Sequence, residues 1–192
     1  MNTKTMRRKK SSLSEVKVAV IGAPGVGKTE GRYKHEVLID NEPILYEILD
    51  TCPKSAADLP SLEIVHWADG LLFVYSITNR ESFTYLKRIG SLISDSDIPI
   101  YIVANKCDMV HLREVSTEEG AILARDFECG FSEVTAAEQV APVAVVFQEI
   151  CRAVLAARRK SKHSLLERML GSRSSNLKLY VRGKSDSALP KD

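Results

Sequence analysis

Cysteine is scarce in this 192-residue chain, and the four that occur lie far apart. Cys52, Cys107, Cys129 and Cys151 fit no metal-ligand or disulfide spacing, so a reducing, cytoplasmic setting is expected. No uninterrupted apolar run approaches the roughly 18 residues that cross a membrane. The basic opening MNTKTMRRKK leads into no signal-peptide core, because VKVAVIG is short and broken by Lys17. There is no internal repeat. The last residues, SDSALPKD, hold no cysteine for prenylation, so no lipid anchor is expected.

What is present suits one globular domain with tails: 44% hydrophobic and 27% charged residues. The net charge of +2 is unevenly spread. Residues 1–12 carry five basic groups and no acid. Residues 158–192 carry ten basic groups against three acids, Glu167, Asp186 and Asp192. Tails of +5 and +7 on a chain of +2 leave −10 for the body. Such tails either touch anionic partners or are simply solvated and disordered. At most, Arg158, Arg159, Lys160, Lys162 and Arg168 give weak attraction to an anionic membrane surface. No specific nucleic-acid partner is expected. Residues 1–14 are expected to be a basic disordered tail, 15–160 the folded domain, and 161–192 a basic, Ser-rich, mostly disordered tail.

Val16–Ile21 is a short apolar run closed by Gly22, which suits a buried strand. Tyr33–Ile39 and Ile44–Asp50 flank the turn-rich DNEP, which predicts a hairpin. Gly70–Ile77 and Ile98–Asn105 are two more buried strands. Between them Phe83, Leu86, Ile89, Leu92 and Ile93 recur at helical spacing. Ser116 followed by Glu119 predicts a capping box and a helix. FSEV is a last short strand, and Val143 to about Lys160 a last long helix. Alternating strands and helices predict an α/β fold with a doubly wound, mostly parallel sheet and one antiparallel edge strand.

Gly22-Ala23-Pro24-Gly25-Val26-Gly27-Lys28-Thr29 has the pattern of a phosphate-binding loop. Its glycines let backbone N–H groups close around phosphate oxygens. Lys28 would reach the β- and γ-phosphates, and the Thr29 hydroxyl would bind Mg²⁺. The preceding apolar strand is the context this pattern requires. Asp50, ending the hairpin's second strand, can hold Mg²⁺ through water. Asn105-Lys106-Cys107-Asp108 supplies what a guanine site needs. The Asp108 carboxylate can accept from the ring N–H and the exocyclic amino group of guanine, a pair of donors adenine lacks. The Lys106 stem can lie along the base, and Asn105 can tie neighbouring loops together. Thr135-Ala136 sits where a last loop could turn backbone N–H groups towards the base.

In this order the motifs resemble those of the Ras-type small GTPases, from about Val16 to Lys160. WADGLLFVYSIT and the absent lipidation box are most similar to the subgroup of oestrogen-regulated growth inhibitors. The resemblance implies GTP and GDP binding with Mg²⁺, slow hydrolysis and a monomeric signalling switch that engages effector proteins.

The chain departs from that family in one place. Between the phosphate loop and the next strand the family has a helix and a flexible switch loop containing a Thr for Mg²⁺ and the γ-phosphate. Here only Glu30, Gly31 and Arg32 intervene, so that first helix is expected to be missing. Three or four extended residues at about 3.3 Å each can cross two strand spacings, about 10 Å, so the hairpin can still pair. Large apolar groups should lose their cover, at about 1.5–3 kcal/mol each. Pro53 has no N–H to offer a γ-phosphate, and Lys54 cannot accept as a Gln would. Pro24 adds bulk near the same place. Weak nucleotide affinity and poor hydrolysis are therefore expected. The competing reading is a scaffold of the same shape that no longer switches.

Overall fold

The computed structural model describes residues 13–174 apart from 29, 52, 54, 56, 57, 94, 95, 138 and 139. Six strands form one sheet: β1 (Ser14–Ile21), β2 (Gly31–Ile39), β3 (Glu42–Asp50), β4 (Gly70–Ser76), β5 (Ile100–Asn105) and β6 (Gly130–Glu133). Their order across the sheet is β2-β3-β1-β4-β5-β6. Only the β2–β3 pairing is antiparallel. The helices are α1 (Leu62–Trp67), α2 (Arg80–Leu92), α3 (Thr117–Asp126) and α4 (Val140–Ser174). The chain divides into two units, Met1–Ala157 and Arg158–Asp192.

The hairpin forms because Asp40 and Asn41 both adopt positive φ, 51° and 66°. That is the two-residue turn whose twist matches paired strands, and Asp and Asn tolerate it. All seven residues of β4 are buried, as expected of an apolar strand covered on both faces. Tyr75 and Phe83 meet at a tilt with ring centroids 5.1 Å apart, and Phe73 meets Phe127 edge-on at 6.5 Å, on the face covered by α2 and α3. Both bonds of the Ser116–Glu119 capping box are made.

Register assigns the opposite face. Val20 lies across from Asp50 on β3 and from Leu72 on β4; Val74 lies across from Val103. Tyr33 lies across from Ile48. These residues share the face on which α4 buries Val146, Ile150, Cys151 and Val154. Tyr46, on the same face of β3, donates its hydroxyl proton to the Phe147 carbonyl at 2.8 Å.

No helix follows the phosphate loop. β1 ends at Ile21 and β2 begins at Gly31. Gly31 lies across from Asp50, which in turn lies across from Val20. The loop thus steps sideways over β3 at one level of the sheet, as the short span required. The expected loss of cover is smaller than the sequence suggested. Val20, Leu72 and Val74 remain 6%, 3% and 7% exposed. α4 starts at Val140, three residues before the predicted start at Val143. Pro142 is tolerated there because first-turn N–H groups have no intrahelical partner anyway. Its far end passes the predicted Lys160 and reaches Ser174. By length and composition one 18-residue stretch within Val140–Leu165 is apolar enough on average to cross a membrane, although Gln148, Glu149 and Arg152 interrupt it and leave no unbroken apolar run of that length. Length and composition alone do not make a span, and this helix buries a face in the core. α1, capped by Ser61, was not anticipated.

Glu119 accepts from the Arg80 guanidinium and from the backbone N–H of Ser116. Chiefly the Arg80 bond lowers its pKa to about 2, from the ordinary 4.5. A folded-state pKa below the unfolded one gives stability that is complete above the unfolded value and is lost as pH falls towards 2. Glu119→Gln should therefore lose melting temperature less steeply than the parent between pH 5 and 3. Because the pair is exposed, added salt should narrow the gap. Thermal unfolding across that range measures both.

Candidate functional site

The loop Gly22–Lys28 leaves β1 at the carboxyl ends of the parallel strands. It is pinned from below by Val26, which is fully buried. Gly27 has φ of +95°, and a Cβ there would stand 2.5 Å from the Asn105 Nδ2. Only glycine fits both demands. Gly22 is pressed against the Val74 carbonyl, with no room for a side chain. Gly25 takes φ of +78° at the exposed crest. Ala23 is buried and Pro24 half-buried. Thr29 lies outside the described residues, as does Lys54.

Lys28 turns back towards the sheet. Its Nζ donates to the Thr51 carbonyl and stands 3.8 Å from the Asp50 carboxylate. The two side chains are only 4% and 12% exposed. An ammonium so enclosed needs such partners. Thr51 is itself held to β1, its N–H and hydroxyl both donating to the Val20 carbonyl.

The segment after β5 joins this loop directly. Asn105 is 5% exposed. Its Nδ2 donates to the Val26 carbonyl at 2.8 Å, and its Oδ1 accepts from the Ala136 N–H at 3.0 Å. One side chain thereby fixes the phosphate-type loop and the last loop to the end of β5. Lys106 adopts φ of +64° and donates from Nζ to the Gly25 carbonyl at 2.8 Å. The Cys107 N–H donates to Val134. Asp108 is exposed beyond them. Thr135 is buried, and its hydroxyl has no hydrogen-bond partner among the described residues.

The structure thus brings together at one end of the sheet the 22–28 loop, Asp50, Asn105, Lys106, Asp108, Thr135 and Ala136. Sequence reasoning did not single out Arg113 and Glu133. Arg113 makes two bonds to the Glu133 carboxylate, 2.7 and 2.9 Å, and holds it below the usual carboxylate pKa. This pair braces the chain just before the Thr135–Ala136 loop. Nothing in the spacing of two residues twenty apart announces it.

A profile of the Ras family matches residues 29–156. The chain belongs to the Ras family of small GTPases. It is 35% identical over 177 residues to GTP-binding protein Rit2 of Rattus norvegicus, covering 80% of each chain. It is 32% identical over 164 residues to the Ras-related and estrogen-regulated growth inhibitor of Homo sapiens, covering 73% of this chain and 82% of that one. Ras-like protein family member 11B of Danio rerio is 34% identical over 166 residues, with 71% and 68% covered. Eighty per cent of 192 residues is about 154, so about 23 of the 177 positions aligned with Rit2 have no residue here. The same subtraction for the growth inhibitor, 164 less about 140, leaves about 24. These relatives therefore carry about two dozen aligned residues with no counterpart in this chain.

Asn105→Ala should unfold at lower denaturant than the parent. It leaves the Val26 carbonyl and the Ala136 N–H without their partner, at a cost of about 1–3 kcal/mol. Urea unfolding followed by circular dichroism gives the midpoint. An unchanged midpoint would mean that the three segments are held by something else.

Proposed function

We propose that this Ras-family chain binds guanine nucleotides at the carboxyl end of its sheet, weakly, and hydrolyses GTP poorly if at all. The observation that carries this reading is the double tie of Asn105 to Val26 and Ala136, with Lys106 on Gly25. It holds the Asn105–Asp108 segment and the 22–28 loop side by side. In the proposed complex the exposed N–H groups around Gly25 and Gly27 meet the phosphates. Asp108 accepts from the two guanine donors, and the Lys106 stem lies along the base. The Thr135 hydroxyl, buried with no hydrogen-bond partner among the described residues, is the kind of group a bound ligand satisfies.

Weak affinity follows from two features. The loop runs into a strand, so the phosphates gain no helix N-terminus. Lys28 must also leave Thr51 and Asp50 to reach them. Slow hydrolysis follows from Pro53, which has no N–H to give a γ-phosphate.

The described residues do not make a Mg²⁺ site by themselves. They hold no cluster of three or more His, Cys, Asp or Glu side chains. Asp50, at the end of β3, is already beside Lys28. Mg²⁺ would enter only as the companion of the nucleotide, with Asp50 and Thr29 as its protein-side neighbours.

A second reading, a scaffold that keeps partner surfaces and binds no nucleotide, is favoured by the Lys28–Asp50 pair and by the start of β2 at Gly31. Titration with fluorescently labelled GDP in Mg²⁺ separates the two. The nucleotide reading expects saturation that GTP and GDP compete away and ATP does not. Asp108→Ala should weaken binding by about 100-fold or more, because a site built on paired polar contacts rejects poor matches strongly. No saturation by a folded chain would leave the scaffold. Equal competition by ATP would remove both guanine-based readings.

A further inference from the structure

Beneath the phosphate-type loop, on the α4 face, lies an open cleft of about 200 Å³. Its floor is Val20, Leu72, Val74 and Val103, from three adjacent parallel strands. Its far wall is Val146 and Phe147 of α4. Ile48, Tyr33 and Val143 stand among its lining residues, each only partly buried or exposed. Lys28, Asp50 and Asn105 close the end under the loop. Asn105 is already bonded to both neighbouring loops, and Lys28 faces Thr51 and Asp50. The open surface inside is therefore chiefly aliphatic and aromatic.

Packed interiors rarely leave a gap of this size. The gap arises from the sequence: β1 passes to β2 through only nine residues, so among the described residues no segment between those strands crosses this part of the face. The floor belongs to central strands held on both sides, and the wall to a long helix. The floor cannot shift inwards without breaking the β1–β4 and β4–β5 registers. Apolar cavities of about 150 Å³ with such linings stay dry and take up ring-sized molecules.

We infer that this cleft is a binding site for a small, uncharged, largely apolar ligand of one or two fused rings. Its size is set by the volume, its chemistry by the valine-rich floor and the Phe147 wall. A charged ligand would be desolvated there with no free countercharge. The cleft's floor and wall are core residues of the sheet and α4, and of the residues that close its end Lys28 is the one the proposed nucleotide complex would move.

The test is titration of the full chain with 6-fluoroindole, followed by fluorine NMR, with methyl spectra of the protein recorded in parallel. Saturable sub-millimolar binding is expected, with contacts to the methyls of Val74 and Val103. Val143→Trp and Ile48→Trp, which fill the cleft from opposite sides, should each weaken binding at least about tenfold. Val145→Trp, on an exposed position of the same helix, should leave it unchanged. Absence of saturation would overturn the inference. So would saturation whose methyl contacts lie elsewhere, or binding that survives both filling substitutions. Should either variant fail to fold, the methyl contacts in the parent chain decide alone.

Discussion

The carboxamide of Asn105 donates to one loop and accepts from another, and the arrangement of the site depends on that reciprocity. A carboxylate in its place could accept from Ala136 but could not donate to Val26. A hydroxyl could not reach both. Because Asn105 is buried, each bond is made in a medium where losing it is costly. It terminates β5, whose register with β4 runs from Leu71–Ile100 to Ser76–Asn105. The loops are thus referenced to the centre of the sheet, not to each other alone. Gly27 completes the constraint from the other side, since any side chain there would displace the amide.

This anchoring explains how the fold survives a missing segment. A helix and its following loop cover a sheet, but they do not set its strand order. That order comes from β1 pairing with β3 and β4, and from the hairpin turn at Asp40–Asn41. Both are local to residues still present. On the other face of the hairpin, Glu47 is buried between Arg32 and Lys34, 3.5 and 3.3 Å away. Arg32 lies over Trp67 at 5.2 Å. Edge strand β2 is therefore tied down by charge and ring contacts as well as by its ladder. The cost of the deletion falls where no ladder bond is involved: a cleft beside α4, and a phosphate-type loop without a helix behind it.

Much of this could be read from residues alone, for identifiable reasons. Apolar runs bounded by Gly, Asn and Asp fix strands whose two faces are both covered, so β1, β4 and β5 stood out. The short link from Thr29 to Tyr33 leaves no length for a helix, and none forms. The role of Asn105 as a tie follows from an amide having both a donor and an acceptor. Other features lie in tertiary context. α1 is six residues with one buried position, Val65, too short to show a period. The Arg113–Glu133 brace joins residues whose proximity only the β5–β6 pairing creates. The early start of α4 was hidden by Pro142, which argues against a helix interior but not against a first turn. The degree of cover left on the sheet was misjudged because Val146 and its neighbours on α4 already shield most of that face.

The partners of Lys28 bear on how such a site could act. An ammonium 4% exposed has given up most of its water, and the Thr51 carbonyl and Asp50 replace it. A phosphate approaching the loop would offer stronger charge, but only by separating Lys28 from a carboxylate that would then need a new cation. A divalent ion arriving with the phosphate would meet that need at the same point. In the proposed complex anion and cation would then be coupled, each removing the other's penalty. The exchange rests on Lys28, Asp50 and the backbone of Thr51, whose own N–H and hydroxyl are bonded to Val20 and cannot follow the lysine. The bonds that hold Thr51 to β1 thus also fix the carbonyl that Lys28 would have to leave.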